Sequence, residues 1–173
     1  MPRRSPHQSL IPVILLLWVA GGCAAPTNHT VVDEVPAGAA PVKAEPIAEV
    51  ESILSYSGIE EATRMMITKQ GEWIAAWEQL FRHTQPAPPV PSVDFAQSAI
   101  VVAAMGTRPS GGHAITFEGA YRDDRRLYLV FLERTPGPTC MTTAAITAPV
   151  AVVRIARTDL PVAYVEKKET TAC

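Results

Sequence analysis

The stretch "SAIVVAAMGTRPSGGHAITFEGAY", Ser98 to Tyr121, decides the fold. Two apolar runs flank Pro109 and three glycines, Gly106, Gly111 and Gly112, and the fold class turns on whether the run after the glycines is a helix or a strand. A phosphate-binding loop leads from a strand into a helix, whose first N–H groups receive the anion. Here "GTRPSGGH" puts Gly112 where the P-loop lysine belongs and His113 where its hydroxyl belongs. The continuation is a strand: "HAITFEGAY" alternates, with His113, Ile115, Phe117 and Tyr121 on one face and Thr116 and Glu118 on the other. "SAIVVAAM" before it reads as a buried strand. Strand, loop, strand excludes the phosphate cradle, and the glycine spacing excludes the dinucleotide fingerprint.

Downstream, "RDDRR" at 122–126 is a polar turn joining this strand to "LYLVFLER", which makes a hairpin. "TPGPTCMTT" is a loop, and "PVAVVRIAR" and "VAYVEKKE" give two more strands. Upstream, "RMMIT" at 64–68 reads as a strand and "KQGEWIAAWEQLFRHT" as a helix. Its Trp73, Ile74, Trp77, Leu80 and Phe81 recur at helical spacing and paint one face for a sheet to cover. "HTQPAPPVPSVDF" is extended, either a stiff loop around the domain's edge or a groove ligand. The expected fold is mainly β (α+β), an antiparallel sheet or small sandwich of about six or seven strands with one amphipathic helix packed on it.

The first 22 residues read as a secretory signal, with Arg3 and Arg4 ahead of the apolar run Leu10–Ala20. "VAGGC" resembles the bacterial lipobox, which makes Cys23 the lipidated residue; an ordinary signal would leave that thiol without a role. Two or three acyl chains hold a protein on a membrane, where one binds only marginally. Residues 23–50 are rich in Ala and Pro and, with prolines 26, 36, 41 and 46, read as a flexible tether. Such a coil reaches roughly 30 Å, or about 80 Å if stiff. The folded domain is expected over 51–173.

From Glu51 onward 12 Lys and Arg face 13 Asp and Glu, so the domain lacks the basic excess of a nucleic-acid binder. Cys140 and Cys173, a pair in an exported domain, are expected to form a disulfide. His83 and His113 are the domain's only histidines, with no metal-ligand spacing. Ser110 lies near His113, but "RPSGG" lacks the nucleophile elbow. Glu118, Asp123 and Asp124 fall on a strand and a hairpin tip and do not signal an acid–base pair. The expectation is no enzyme, cofactor, metal or small-molecule substrate.

The helix "EWIAAWEQLF", a proline-rich segment ending in Asp94 and Phe95, the loop from Gly106 through Gly112, and Ala148–Pro149 before a late strand together resemble the C-terminal domain of the protease complex subunit PrcB family, over residues 57–173. His113 departs from the tyrosine more usual there. The resemblance implies a non-catalytic, envelope-anchored subunit that assembles with and stabilises a surface protease. A fainter likeness runs to chagasin-type peptidase inhibitors, whose inserted loop shares a proline, a hydroxyl, a glycine and a ring with "RPSGGH". The expected function is therefore a lipid-anchored lipoprotein of the bacterial cell envelope, at the outer membrane, binding a protein partner as a subunit of a protease complex. Its expected contacts are Arg108, Pro109, Ser110, Gly111, Gly112 and His113. The alternatives are a direct peptidase inhibitor using Gly106 to His113, and a structural envelope lipoprotein with no peptidase link.

Overall fold

The computed structural model describes Met1 and residues 30–173, so the signal segment and Cys23 lie outside the described residues. Nine strands are present there: β1 Thr30–Val32, β2 Ala40–Val42, β3 Ala44–Pro46, β4 Thr63–Ile67, β5 Ser98–Ala104, β6 Ala114–Arg122, β7 Leu127–Pro136, β8 Val150–Ala156 and β9 Val162–Thr171. A 3₁₀ turn, Ala48–Ile53, and one helix, α1 Gln70–Leu80, complete the fold. The strands form a five-stranded sheet, β1-β9-β7-β6-β2, and a four-stranded sheet, β3-β8-β5-β4. The architecture is mainly β, as the hydrophobic periods require.

Between the sheets, Val101 and Ala103 of β5 and Val153 and Ile155 of β8 meet Ile115 of β6, Leu129 and Phe131 of β7, and Tyr164 of β9. The intervening residues Ile100, Val102, Val150 and Val152 point the other way, onto Trp73, Trp77 and Leu80 of α1 and Val50 and Ile53 of the 3₁₀ turn. The four-stranded sheet is thus covered on both faces, which is why "AIVVAA" is apolar without alternation. Each large side chain buried this way contributes about 1.5 to 3 kcal/mol. Ile74 is an exception to the predicted stripe and stays 39% exposed, its place in the core taken by Ala76.

The two buried indoles satisfy their N–H groups on the proline-rich segment: Trp73 donates to the Pro91 carbonyl at 3.1 Å and Trp77 to that of Pro88 at 2.9 Å. That segment is a stiff loop strapped along α1. Its end is turned by Asp94, whose carboxylate accepts from the Ala96 N–H at 2.9 Å and whose carbonyl accepts from the Ser98 N–H at 2.8 Å, starting β5.

Three features differ from the expectation. First, the five-stranded sheet is mixed, since β9 runs parallel to both β7 and β1. The chain leaves β7, passes through β8 in the other sheet and returns, and that excursion reverses its direction once more. Second, the β6–β7 register shifts between Phe117 and Gly119. The bulge turns Tyr121 away from Ile115 and Phe117, to the outer face beside Tyr128 and Val130.

Third, residues 30–50 are a strap built into the domain. β1 and β2 close the two opposite edges of the five-stranded sheet, and β3 closes one edge of the other. Between β1 and β2 the chain crosses the outer face of the larger sheet, where Val32 and Val35 pack on the cluster of Tyr128, Val130, Ala163 and Val165. Pro41 and Pro46 sit in β2 and β3, each an outermost strand, where a missing N–H removes no ladder bond on the open side. The prolines that argue for a coil are equally compatible with edge strands. No helix among the described residues is long and apolar enough to cross a membrane.

Candidate functional site

Three connections meet at one end of the sandwich: residues 105–113 crossing from β5 to β6, residues 137–149 from β7 to β8, and residues 54–62 ahead of β4. Because β5 and β6 belong to different sheets, the glycine-rich loop is an inter-sheet crossover and not a hairpin. It is laced to its neighbours. The Arg108 N–H donates to Thr147 O at 2.7 Å and the Thr147 N–H returns to Arg108 O at 3.0 Å; the Gly111 N–H reaches Thr143 O at 3.0 Å. The Thr147 hydroxyl donates to Ser110 O at 2.9 Å. On the other flank the Thr107 N–H donates to Glu60 O at 2.9 Å, and the Ala148 N–H to Ser55 O at 2.8 Å.

Close packing at this junction requires glycine at position 106. Its φ is +74°, and an added Cβ would lie 2.7 Å from Ala62 N and 2.8 Å from Glu60 O, both backbone atoms. Gly106→Ala is expected to destabilise the domain by about 2 kcal/mol, combining strain with a forced shift of residues 60–62. Gly71→Ala, on α1 with open space around its Cβ, is the control and is expected to be neutral or stabilising in the same urea titration.

The six residues expected as contacts are divided by their burial. Pro109 and Gly112 are exposed, Arg108, Ser110 and His113 are half-buried, and Gly111 is buried. His113 Nδ1 and Arg108 Nε are enclosed without a hydrogen-bond partner among the described residues. Burial first, and then the Arg108 charge, holds the His113 pKa below the ordinary histidine value.

The expected disulfide is present, joining Cys140 to Cys173 with Cα atoms 5.2 Å apart. Together with the Gly137 N–H on Thr171 O, at 3.0 Å, it ties the start of the 137–149 connection to the end of β9. Replacing both cysteines by serine is expected to cost about 3 to 4 kcal/mol, read as a lower urea midpoint, because the bond closes a long loop in the unfolded chain.

What the sequence reading did not find is the surface that these connections build. Tyr56, Ser57, Glu60, His83, Thr107, Ile146, Thr147 and Ala148 line a groove of about 450 Å³. Tyr56 is 57% and Ile146 71% exposed, with Leu54, at 46%, two residues from Tyr56 in the same connection. The Ser57 hydroxyl is engaged, donating to Ala148 O at 2.8 Å. An apolar isoleucine inside the Thr- and Ala-rich run "TTAAIT" was the available signal; Tyr56 had none, since the fold alone brings it alongside. A larger cavity of about 550 Å³ at the opposite end is lined by Arg122, Asp123, Asp124 and Thr158. Its Asp123 carboxyl accepts from the Arg125 and Arg126 N–H groups and the Tyr128 hydroxyl, which hold its pKa below the usual carboxylate range. Asp123 therefore closes the β6–β7 turn.

No curated protein and no solved structure matches the chain. The family model for the PrcB C-terminal domain matches residues 99–156, a shorter span than residues 57–173, which carry the resembling motifs. The matched segment runs from β5 through the crossover, the β6–β7 hairpin and the 137–149 connection to the end of β8. Residues 99–156, which supply the central strands of both sheets and two of the three connections around the groove, are thus the part of the chain similar to the PrcB C-terminal domain.

Proposed function

We propose that the protein is a non-catalytic, lipid-anchored protein of the bacterial cell envelope, at the outer membrane, whose domain binds a protein partner as a stabilising or regulatory subunit of a protease complex. The PrcB C-terminal domain suggests a protease-complex-associated protein, and this match carries the reading. The groove supports it: an exposed Tyr and Ile beside a disulfide-tied, hydrogen-bonded rim offer a rigid apolar contact that costs little ordering on association. The lipobox-like "VAGGC" supports anchoring through Cys23.

Capture from the native envelope in mild detergent tests the proposal. The wild-type chain is expected to recover one peptidase-containing complex reproducibly. Ile146→Glu is expected to lower that recovery by tenfold or more, since a central apolar contact is worth about 2 kcal/mol. At 71% exposure the substitution leaves folding nearly unchanged. Equal recovery with Ile146→Glu refutes the groove as the contact, and recovery of no peptidase refutes the subunit role. Peptidase inhibition by the isolated protein, lost on changing Pro109 rather than Ile146, would instead support the inhibitor reading.

A further inference from the structure

The two ends of the sandwich are chemically different, and the strap determines which of them lies next to the anchor. Thr30 pairs with Ala163 and Val32 with Val165, so β1 starts beside the start of β9. Leu127 pairs with Val162, which puts the Arg122–Arg126 turn at that same end. The groove, the disulfide and the glycine-rich crossover all lie at the other end, beyond Pro136 of β7 and Thr171 of β9. The ten residues of β9 separate the ends by roughly 33 Å.

Six residues, 24–29, stand between Cys23 and Thr30. Whatever their conformation, seven Cα-to-Cα steps span at most about 25 Å. That is shorter than the domain, so an anchor at Cys23 restricts which face can meet the bilayer. A tether running to residue 50 would impose no such restriction. The turn end also carries a small basic excess: Arg122 and Arg125 are exposed and Arg126 half-buried, against an exposed Asp124 and an Asp123 whose carboxylate is held by the backbone N–H groups of Arg125 and Arg126 and by the Tyr128 hydroxyl.

We infer that the domain stands on the phospholipid surface with its Arg122–Arg126 turn toward the headgroups, and that the Tyr56–Ile146 groove faces away from the membrane. The groove then meets the part of a partner that projects from the bilayer, about 30 Å beyond the turn. The inference rests on the lipid-anchored reading of Cys23.

The full lipidated chain in phosphatidylcholine–phosphatidylglycerol vesicles containing a nickel-chelating lipid tests it. A nitroxide is attached, without reductant, to Asp124→Cys at the turn or to Met141→Cys in the 137–149 connection, both exposed positions. Relaxation enhancement by the surface nickel is expected to be several-fold larger at 124 than at 141, and to become equal when a long Gly-Ser segment is inserted before Thr30. Equal enhancement without the insertion, or a larger one at 141, overturns the orientation. Mass spectrometry of the membrane-extracted chain separates the two failures. A Cys23 without diacylglyceryl mass removes the anchor and the inference with it, whereas a lipidated Cys23 with equal enhancements removes the orientation alone.

Discussion

A chain beginning at residue 51, the boundary that composition indicates, is expected to lose on the order of 5 kcal/mol of stability and to self-associate. Ile47 and Val50 are 7% and 1% exposed, and removing two such side chains from the core costs about 3 to 6 kcal/mol. Loss of β1, β2 and β3 also uncovers three ladder residues each of β9, β6 and β8, so that the edges of these strands, 10, 9 and 7 residues long, are left without a partner along their whole length. Long unpaired edges template pairing with other chains. A domain of this size has about 5 to 15 kcal/mol in total, so the truncation consumes much of it. Urea titration and size-exclusion chromatography of chains starting at residues 30 and 51 measure both effects. Equal midpoints and two monomers would mean that the strap is dispensable.

Arg64→Met is expected to cost about 3 to 5 kcal/mol, because it strands two carboxylates between the sheets. Arg64 projects from β4 of the smaller sheet to Glu133 of β7 and Glu166 of β9 in the larger one, with Nε 3.0 Å from the Glu166 carboxylate and Nη2 on that of Glu133. Its Nη1 also donates to Thr63 O at 2.9 Å and Ala104 O at 2.8 Å. The guanidinium lies 5.7 Å from the centre of the Phe131 ring. The three side chains are 11%, 14% and 24% exposed, unlike Arg134–Glu169 at 43% and 52%. An exposed pair contributes at most about 1 kcal/mol. Burial pushes the neighbouring Tyr164 phenol up to about 12, with the Arg64 charge acting in the opposite direction. Adding Glu133→Gln and Glu166→Gln to Arg64→Met is expected to restore most of the loss in urea denaturation. A cost under about 1 kcal/mol for Arg64→Met alone would show the network to be solvated.

Tyr121 and Ile146 show where sequence reading stops. Strict alternation puts Tyr121 with Phe117; Gly119 inside the strand is the one local mark of a bulge, and only the pairing with β7, in which Phe117 faces Phe131 and Gly119 faces Val130, shows that the register shifts there. Ile146 was visible as an apolar residue in a polar loop, but a groove needs Tyr56 and Thr107 beside it, and those come from connections far apart in the chain. Arg64 is similar: "RMMIT" identifies the strand, whereas its acidic partners lie about 70 and 100 residues downstream, a separation no local spacing rule reaches.

By itself the sequence determined the elements whose signal is local. Period two marked β6, an apolar run after the polar turn marked β7, period 3.6 marked α1, a strand after "GTRPSGG" excluded the phosphate cradle, and a pair of cysteines in a domain read as exported marked the disulfide. Tertiary structure alone decided the pairing of three-residue strands, the parallel placement of β9, and the assembly of the groove. A three-residue strand has no period to read, and its stability comes from the edge it covers. The Pro-containing run at 30–50 is therefore a coil or a strap according to what lies next to it, and here it finds β9, β6 and β8.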